Sequence, residues 1–445
     1  MKRKQAIVIG GSIAGLTAAR VLADHYERVL IIERDDLPDG ATVRKSAPQG
    51  AHTHALLARG LRTLERLMPG LTRDLVEQGA VECDTTADFA WYQHGVFKGR
   101  WPSGQPALSM TRPLLEWRMR IHVLATPNIT LMAGHRVVSL ITTADRTRIT
   151  GVRAGAVDGP EGAVRELEAD LVVDATGRGS RVPGWLEELG CGAVPVTEIK
   201  SDVRYVSRIF RNKGPAPDFK LGLFQDDFPS THLGAAFRVE SDACSVTLQT
   251  MLGEEVPNTE AGFLAYARSI AVPHLAQLLE QSEPLSPLLF YRIPSNLRRH
   301  YERMARFPDG LAIIGDAATA FNPRYGQGMA AAVLGAEVLE QSLKEPAFGG
   351  PGSGQRFQKA LAKAMDLPWE MSAGEDLPFL EKSLPLSARF AGWYVRRLLR
   401  LCSVDREAVV AFAGVMHLLR PMSDLFRPRL LWKVLTLNER RLLAN

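Results

Sequence analysis

The chain has 445 residues, 46% of them hydrophobic and 23% charged, a composition that excludes a disordered or fibrous protein and a length that calls for two or three structural units. Its net charge of +5 comes with no aromatic–basic motif, so no nucleic-acid partner is expected. Four well-separated cysteines (Cys83, Cys191, Cys244, Cys402), with no C-x-x-C, exclude a disulfide framework or a zinc site and suit a reducing cytosol, so a cytoplasmic location is expected.

The chain opens with "MKRKQAIVIGG". Three basic residues precede an apolar run, but Ala6–Ile9 is too short for a signal-peptide core and reads as a buried strand. No stretch reaches the ~18 apolar residues of a membrane span. Apolar runs at 6–9 and 29–32 flank a predicted helix over 14–23, a βαβ unit with a parallel sheet. Helical spacing follows over 52–68 and 112–126, with a hairpin bent at Gly95 between them. Segments from "ITLMAGHRVVSLITT" to "DLVVDATG" read as a meander ending near Asp174, and alternating strands recur over 200–252. Residues 260–281 are helical, "PAFGGPGSG" (346–354) is the clearest linker, and the remainder is helical.

The charge is uneven. Arg389–Asn445 holds eleven Lys/Arg against four Asp/Glu. Such a tail suits either peripheral membrane contact or a helical subdomain with solvated arginines, and scattered charges favour the second.

Two regions carry chemistry. Gly10-Gly11-Ser12-Ile13-Ala14-Gly15 occupies the first strand-to-helix turn. Gly10 permits the tight turn, Gly15 permits close helix–strand packing, and Ser12 is small enough for a pyrophosphate to approach the backbone beside Ile13 at the helix N-terminus. Glu33 ends the second strand, where a carboxylate can accept from a ribose hydroxyl pair, with Arg34 beside it. A glycine turn alone is a weak signal; turn, helix and terminal acid within one unit are a strong one. The second region is "GDAATAFNPRYGQGMAAA" (315–332), in which an apolar strand ends on Gly315-Asp316 and Pro323 and Gly326-Gln327-Gly328-Met329 lead into an Ala-rich helix. A helix N-terminus there stabilises negative charge.

Taken with "DLVVDATGRGSR" (170–181), these motifs occur in the order found in the flavoprotein aromatic-hydroxylase superfamily, which the chain resembles over residues 5–345. These are FAD-dependent monooxygenases, squalene-epoxidase-like enzymes among them. "RKSAPQGAHTHALLARG" and "TRPLLEW" look closest to bacterial natural-product flavin epoxidases of the polyether type. The resemblance implies an α/β fold: a three-layer Rossmann-like FAD domain from 1–74, 110–185 and 301–345, a β-sheet substrate domain from 75–109 and 186–300, and a helical C-terminal region over 355–445. It places Asp316 at the FAD ribityl chain, Gly326–Gly328 at the pyrimidine edge of the ring, Pro323 beside the ring, Asp174 near the cleft, and Arg44 and Arg112 near the phosphates and ring. It implies oxygen transfer from O2 to a small lipophilic substrate, as epoxidation or hydroxylation through a flavin C4a-hydroperoxide. NAD(P)H is the implied reductant, used directly or through a flavin reductase. Ala175 stands where aromatic hydroxylases often carry Gly, a departure that counts against nicotinamide-dependent behaviour, and Ala330 stands where many carry Asn, which shifts weight toward the epoxidase-like branch.

Protecting a reactive flavin needs a dry cavity more than an acid–base residue, so the sequence nominates no general base and leaves the catalytic residues unknown. Phe89, Trp91, Tyr92, Phe97, Trp101, Tyr205, Phe210, Phe224, Phe237 and Met251 are the candidates for a lipophilic pocket, most of them equally suited to ordinary core packing. His52-x-His54 has no third ligand at metal spacing, so no metal is expected. The halogenase signature Trp-x-Trp-x-Ile-Pro is missing. Two alternatives stay open: a flavin-dependent reductase or dehydrogenase of a prenyl or polyketide substrate, and a non-catalytic, membrane-docking flavin-binding protein.

Overall fold

In the computed structural model, which describes residues 2–159, 163–381 and 385–439, strands Arg3–Ile9, Tyr26–Ile32, Ile129–Met132, Leu171–Asp174 and Leu311–Ile313 form one five-stranded parallel sheet. The runs Ala6–Ile9 and Leu171–Asp174 are buried throughout, as expected of a sheet covered on both faces. Helices Ile13–Ala23 and Gly328–Leu343 pack together on one face. An antiparallel sheet of His135–Thr142, Ile149–Ala156 and Val164–Glu168 covers the other through Val152 and Ala154. Each fully buried Ile or Leu of this core contributes roughly 1.5–3 kcal/mol.

The segment read as one meander is therefore split. Its first strand, Ile129–Met132, and its last, Leu171–Asp174, join the parallel sheet, and only the middle three form an antiparallel layer. Period-two alternation identifies a strand but not its partner.

The second sheet has eight strands, among them Phe89–Gln93, Val203–Asn212, Leu221–Gln225, Leu233–Val239 and Ala243–Thr250. The predicted hairpin is present, with Tyr92 paired to Phe97 and Gln93 to Val96. One face of this sheet is closed by helices Glu260–Ser269 and His274–Glu280 around Val206, Phe210, Phe224 and Leu248. The other face turns toward the first domain: Thr53 Oγ1 meets Ser245 Oγ at 2.8 Å, and His52 Nδ1 meets Ser207 Oγ at 2.7 Å.

Helix Ser353–Leu380 crosses between the units. Phe357, Leu361 and Met365 sit in the first core, and Met371 packs against the C-terminal cluster. That cluster, from helices Leu386–Leu401, Arg406–Met416 and Pro428–Leu435, centres on Tyr394, Leu398, Phe412 and Val434 and seats Trp91 and Trp101. Its outer surface mixes exposed Arg389 and Arg396 with exposed Leu386, Phe390 and Trp432. Two of the tail's basic residues, Arg440 and Arg441, lie outside the described residues. Among the described residues no helix is long and apolar enough to cross a membrane.

Candidate active site

The sheet register brings the motifs together. Ile9 pairs with Asp174 and Asp174 with Ile313, so the turns at 10, 175 and 314 leave the same edge of three adjacent strands. Ligands of open parallel sheets bind outside this carboxyl edge. The close approach is sterically enforced. Gly10 has φ +103°, and a Cβ there would stand 2.7 Å from the Ala175 carbonyl oxygen; a Cβ on Gly15 would stand 1.8 Å from the Gly10 carbonyl oxygen.

Ser12 caps helix Ile13–Ala23 with Ile13 buried behind it, and a buried charge network gathers there. Ser12 Oγ donates to Glu116 Oε1 (2.9 Å), Arg112 Nε donates to the same oxygen (2.6 Å), and Arg112 Nη2 donates to Ser12 Oγ (3.1 Å). Arg44 Nη2 lies 3.0 Å from Glu116 Oε2, and Arg44 Nη1 lies 3.2 Å from Glu33 Oε2. The second contact is an ion pair by distance but misaligned for a hydrogen bond, and Arg44 Nε has no acceptor either. Burial opposes the charge on Arg44, but Glu116 and Glu33 outweigh it and hold the guanidinium above its ordinary pKa. Burial likewise works against Glu116, and Arg112 and Arg44 overcome it, holding the carboxyl below its usual value. Glu33 accepts from the Gly11 N–H (2.7 Å) and the Asp35 N–H (3.0 Å), which leaves part of Oε1 free.

Asp316 sits deep but keeps accessible surface, and among the described residues no donor bonds its carboxylate. Burial raises its pKa against the pull of Arg112, Arg178 and Arg299. Gly315, at φ +60°, brings this turn against Ala14, 2.9 Å from where a Cβ would lie. The next turn is held from below. Asp376, on helix Ser353–Leu380, accepts from Asn322 Nδ2 (3.0 Å), Asn296 Nδ2 (2.7 Å) and the Tyr325 hydroxyl (3.0 Å). Pro323 is half-buried, Gly326 takes φ +65°, and Gln327 stands at the start of helix Gly328–Leu343 with Nε2 3.6 Å from Met371 Sδ. Nothing lies within 4 Å of where a Cβ on Gly328 would project, so a flat group can approach the helix start, and Met329 is buried behind it.

These residues fit FAD. Among the described residues Arg44 has buried donors without acceptors where a pyrophosphate would lie and Asp316 has an unpartnered carboxylate; Gly10 and Gly15 let the first turn close tightly, and Gly328 leaves room for close approach. The fold and this cleft are those of an FAD-dependent oxidoreductase, and the FAD dependent oxidoreductase family model matches residues 5–183. Protein Rv3254 of Mycobacterium tuberculosis is 32% identical over 389 residues, which span 85% of this chain and 81% of that one. Among solved structures, the flavin-dependent brominase Bmp2 matches with a TM-score of 0.68 at 13% identity, covering 93% of this chain and 92% of its own. The p-nitrophenol 4-monooxygenase PnpA from Pseudomonas putida DLL-E4 matches at 0.64 and 18% identity, covering 94% and 99%.

Of the residues singled out in the sequence, the structure gathers Gly10, Ser12, Ile13, Gly15, Glu33, Arg44, Arg112, Gly315, Asp316, Pro323 and Gly326–Met329 along one cleft. Arg34 is exposed and reaches only the Ser46 carbonyl, at 3.4 Å. Asp174 stands beside the cleft, but its carboxylate is spent on its own turn, accepting from Thr176 N–H (3.0 Å), Thr176 Oγ1 (2.6 Å) and Ser180 Oγ (2.5 Å). His54 Nδ1 meets the His52 carbonyl at 2.8 Å. Glu116 and Asp376 were missed. The four-residue spacing of Arg112 and Glu116 on one helix could have flagged the first; Asp376 carries no local signal.

The aromatic candidates divide by sheet face. Phe89 and Phe237 lie together on the face turned to the first domain, beside Ala55 and Leu223, and Trp91 stacks on Phe89 at 5.3 Å. Tyr205 meets His52 at 4.5 Å and packs with Met251. Tyr92, Phe97, Phe210 and Phe224 face the helices instead and are core, and Trp101 packs against the C-terminal cluster.

Proposed function

We propose that the protein is an FAD-dependent monooxygenase that inserts one oxygen atom of O2 into a small lipophilic substrate, by epoxidation or hydroxylation. The observation that carries this reading is the apolar sheet face of Phe89, Trp91, Leu223 and Phe237 turned toward the Pro323–Gly328 turn, with Ala55 3.2 Å from where a Cβ on Gly326 would lie. FAD supplies the oxygen chemistry; the chain supplies the geometry. Arg44 and Arg112 hold the phosphates, and Asp316 accepts from a ribityl hydroxyl. The N–H groups of helix Gly328–Leu343 face the pyrimidine edge, where they favour negative charge. The apolar face keeps water from the reacting carbon, and Trp91 against Phe412 at 5.4 Å closes the C-terminal side. The likeness to p-nitrophenol 4-monooxygenase supports the reading at the level of fold.

The reductant in this reading is NAD(P)H, acting directly or through a flavin reductase. The test supplies the FAD-loaded protein with NADH, NADPH or a reductase, a panel of polyene and aromatic substrates, and isotopically labelled O2. Label in a product, with matching oxygen uptake, is the expected result. Substrate reduction without label would overturn it in favour of a reductase. Bound FAD with no turnover would leave a non-catalytic flavin-binding protein.

A further inference from the structure

Above the apolar part of the inward sheet face lies a row of a different kind. Gln225 pairs with Leu233 and Leu233 with Gln249, while Gln93 stands one step past the parallel pair Tyr92–Phe224. Three glutamines thus share one level of one face, each less than a tenth exposed, and mark its polar end. Arg324 reaches this level from the cofactor side. Its Nη1 donates to the carbonyl of Thr231, two residues before Leu233, at 2.9 Å.

The rest of Arg324 is unused. The residue is 5% exposed, and its Nε and Nη2 are closed to solvent with no acceptor among the described residues. Those two atoms form the side-on edge of the guanidinium, the edge that grips a carboxylate with two parallel bonds. This chain uses the edge that way twice: Arg59 Nε and Nη2 meet the two oxygens of Glu337 at 3.3 and 2.5 Å, and Arg292 meets those of Asp202 at 2.5 and 3.0 Å. Buried donors left unpaired are costly, so the missing acceptor is expected from outside the chain.

We propose that the Nε–Nη2 edge of Arg324 forms a subsite for a carboxylate on an otherwise apolar substrate, at the polar end of the inward sheet face. The proposal rests on the substrate face of the preceding section and narrows its substrate to an amphiphilic acid. The charges nearby leave room for such an anion. Glu375, one helical turn beyond Met371, feels the pull of Arg324 but makes no ion pair with it among the described residues, and burial raises its carboxyl above the usual range.

Calorimetric titration of the FAD-loaded protein with decanoate and with methyl decanoate, at neutral pH, tests this. The pair shares an apolar tail and differs in the charge of the head. The expected result is decanoate binding about tenfold or more tighter. Arg324→Met should abolish that margin while leaving the ester's affinity in place. Arg324→Lys, which keeps the charge but loses the two-bond edge, should reduce it, which keeps the test open if the methionine variant fails to fold. A wild-type protein that binds both equally, or neither, overturns the proposal, as does an Arg324→Met variant that keeps the preference. Because the titration needs no turnover, failure of the labelled-oxygen experiment leaves it interpretable, and a lost acid preference leaves the oxygenase reading untouched.

Discussion

Arg44 and Glu116 stand 3.0 Å apart at the start of the first helix, although they come from distant parts of the chain. Glu116 also accepts from Arg112 and Ser12, so one buried carboxylate balances two arginines. Removing one partner of a buried ion pair leaves an uncompensated charge, at about 3–5 kcal/mol. Glu116→Ala should therefore destabilise the FAD-free protein by about that amount. Saturating FAD should narrow the deficit, because its pyrophosphate supplies the lost negative charge. Urea unfolding with and without FAD reads both. An equal loss in the two states would mean that Glu116 only packs.

Asp316 should behave in the opposite sense. Its carboxylate sits deep, though not fully closed to solvent, and is bonded to no donor among the described residues, which costs the protein stability without its cofactor. Asp316→Asn removes that charge, so the FAD-free variant should melt higher than wild type. Its affinity for FAD should fall about tenfold or more, the worth of a charge-assisted hydrogen bond. Fluorescence titration of the apoprotein and a thermal melt give the two numbers. An unchanged FAD affinity would remove Asp316 from the cofactor contacts.

Two glycines test the steric argument. A Cβ on Gly15 would stand 1.8 Å from the Gly10 carbonyl oxygen, and backbone cannot yield as a side chain can. Gly15→Ala should force the turn open and abolish FAD retention. Gly184, inside helix Val182–Glu188, has nothing within 4 Å of where a Cβ would lie. Gly184→Ala should retain FAD and stabilise the protein by roughly 0.5–1 kcal/mol. Flavin absorbance after gel filtration separates the two variants, and FAD retained by Gly15→Ala would refute the close-packing account.

The residues legible in the sequence were those whose role depends on near neighbours. Gly10, Gly15 and Glu33 belong to one βαβ unit, so spacing pointed to them, while Asp316 to Gly328, two turns with a short strand between, were read from motif order and the family resemblance. Glu116 and Asp376 act on partners far away in the chain, and no local pattern encodes that. The same limit explains the aromatics. Phe89 and Tyr92 sit on one short strand, but an odd separation puts them on opposite faces, one toward the cofactor domain and one under the helices. The parity was readable, yet which face turned to the first domain depended on His52 and Thr53 docking onto Ser207 and Ser245. The strand Ile129–Met132 was legible as a strand, but its place beside Tyr26–Ile32 was decided by long-range pairing.

Four histidines, His52, His54, His94 and His417, are held by burial below the ordinary imidazole pKa and contribute to the pH dependence of stability. Burial lowers both His52 and His417 to about 4. His417 Nδ1 accepts from the Ala58 N–H at 3.1 Å, which requires that nitrogen to be unprotonated. In the unfolded chain each ring takes a proton as pH falls below about 6.5, while the folded protein refuses it down to about 4. The unfolded state then binds more protons, so stability falls as pH drops through this window, by up to about 1.4 kcal/mol per pH unit for each histidine. Asp84, lowered to about 2 by hydrogen bonds from Ala87, Thr86 and Ser103 that overcome its burial, loses its contribution only below the ordinary carboxylate range, outside the window. His417→Asn keeps an acceptor for the Ala58 N–H but cannot titrate. Urea unfolding across the window should show a slope shallower by about one proton in this variant. Identical slopes would place the proton uptake elsewhere.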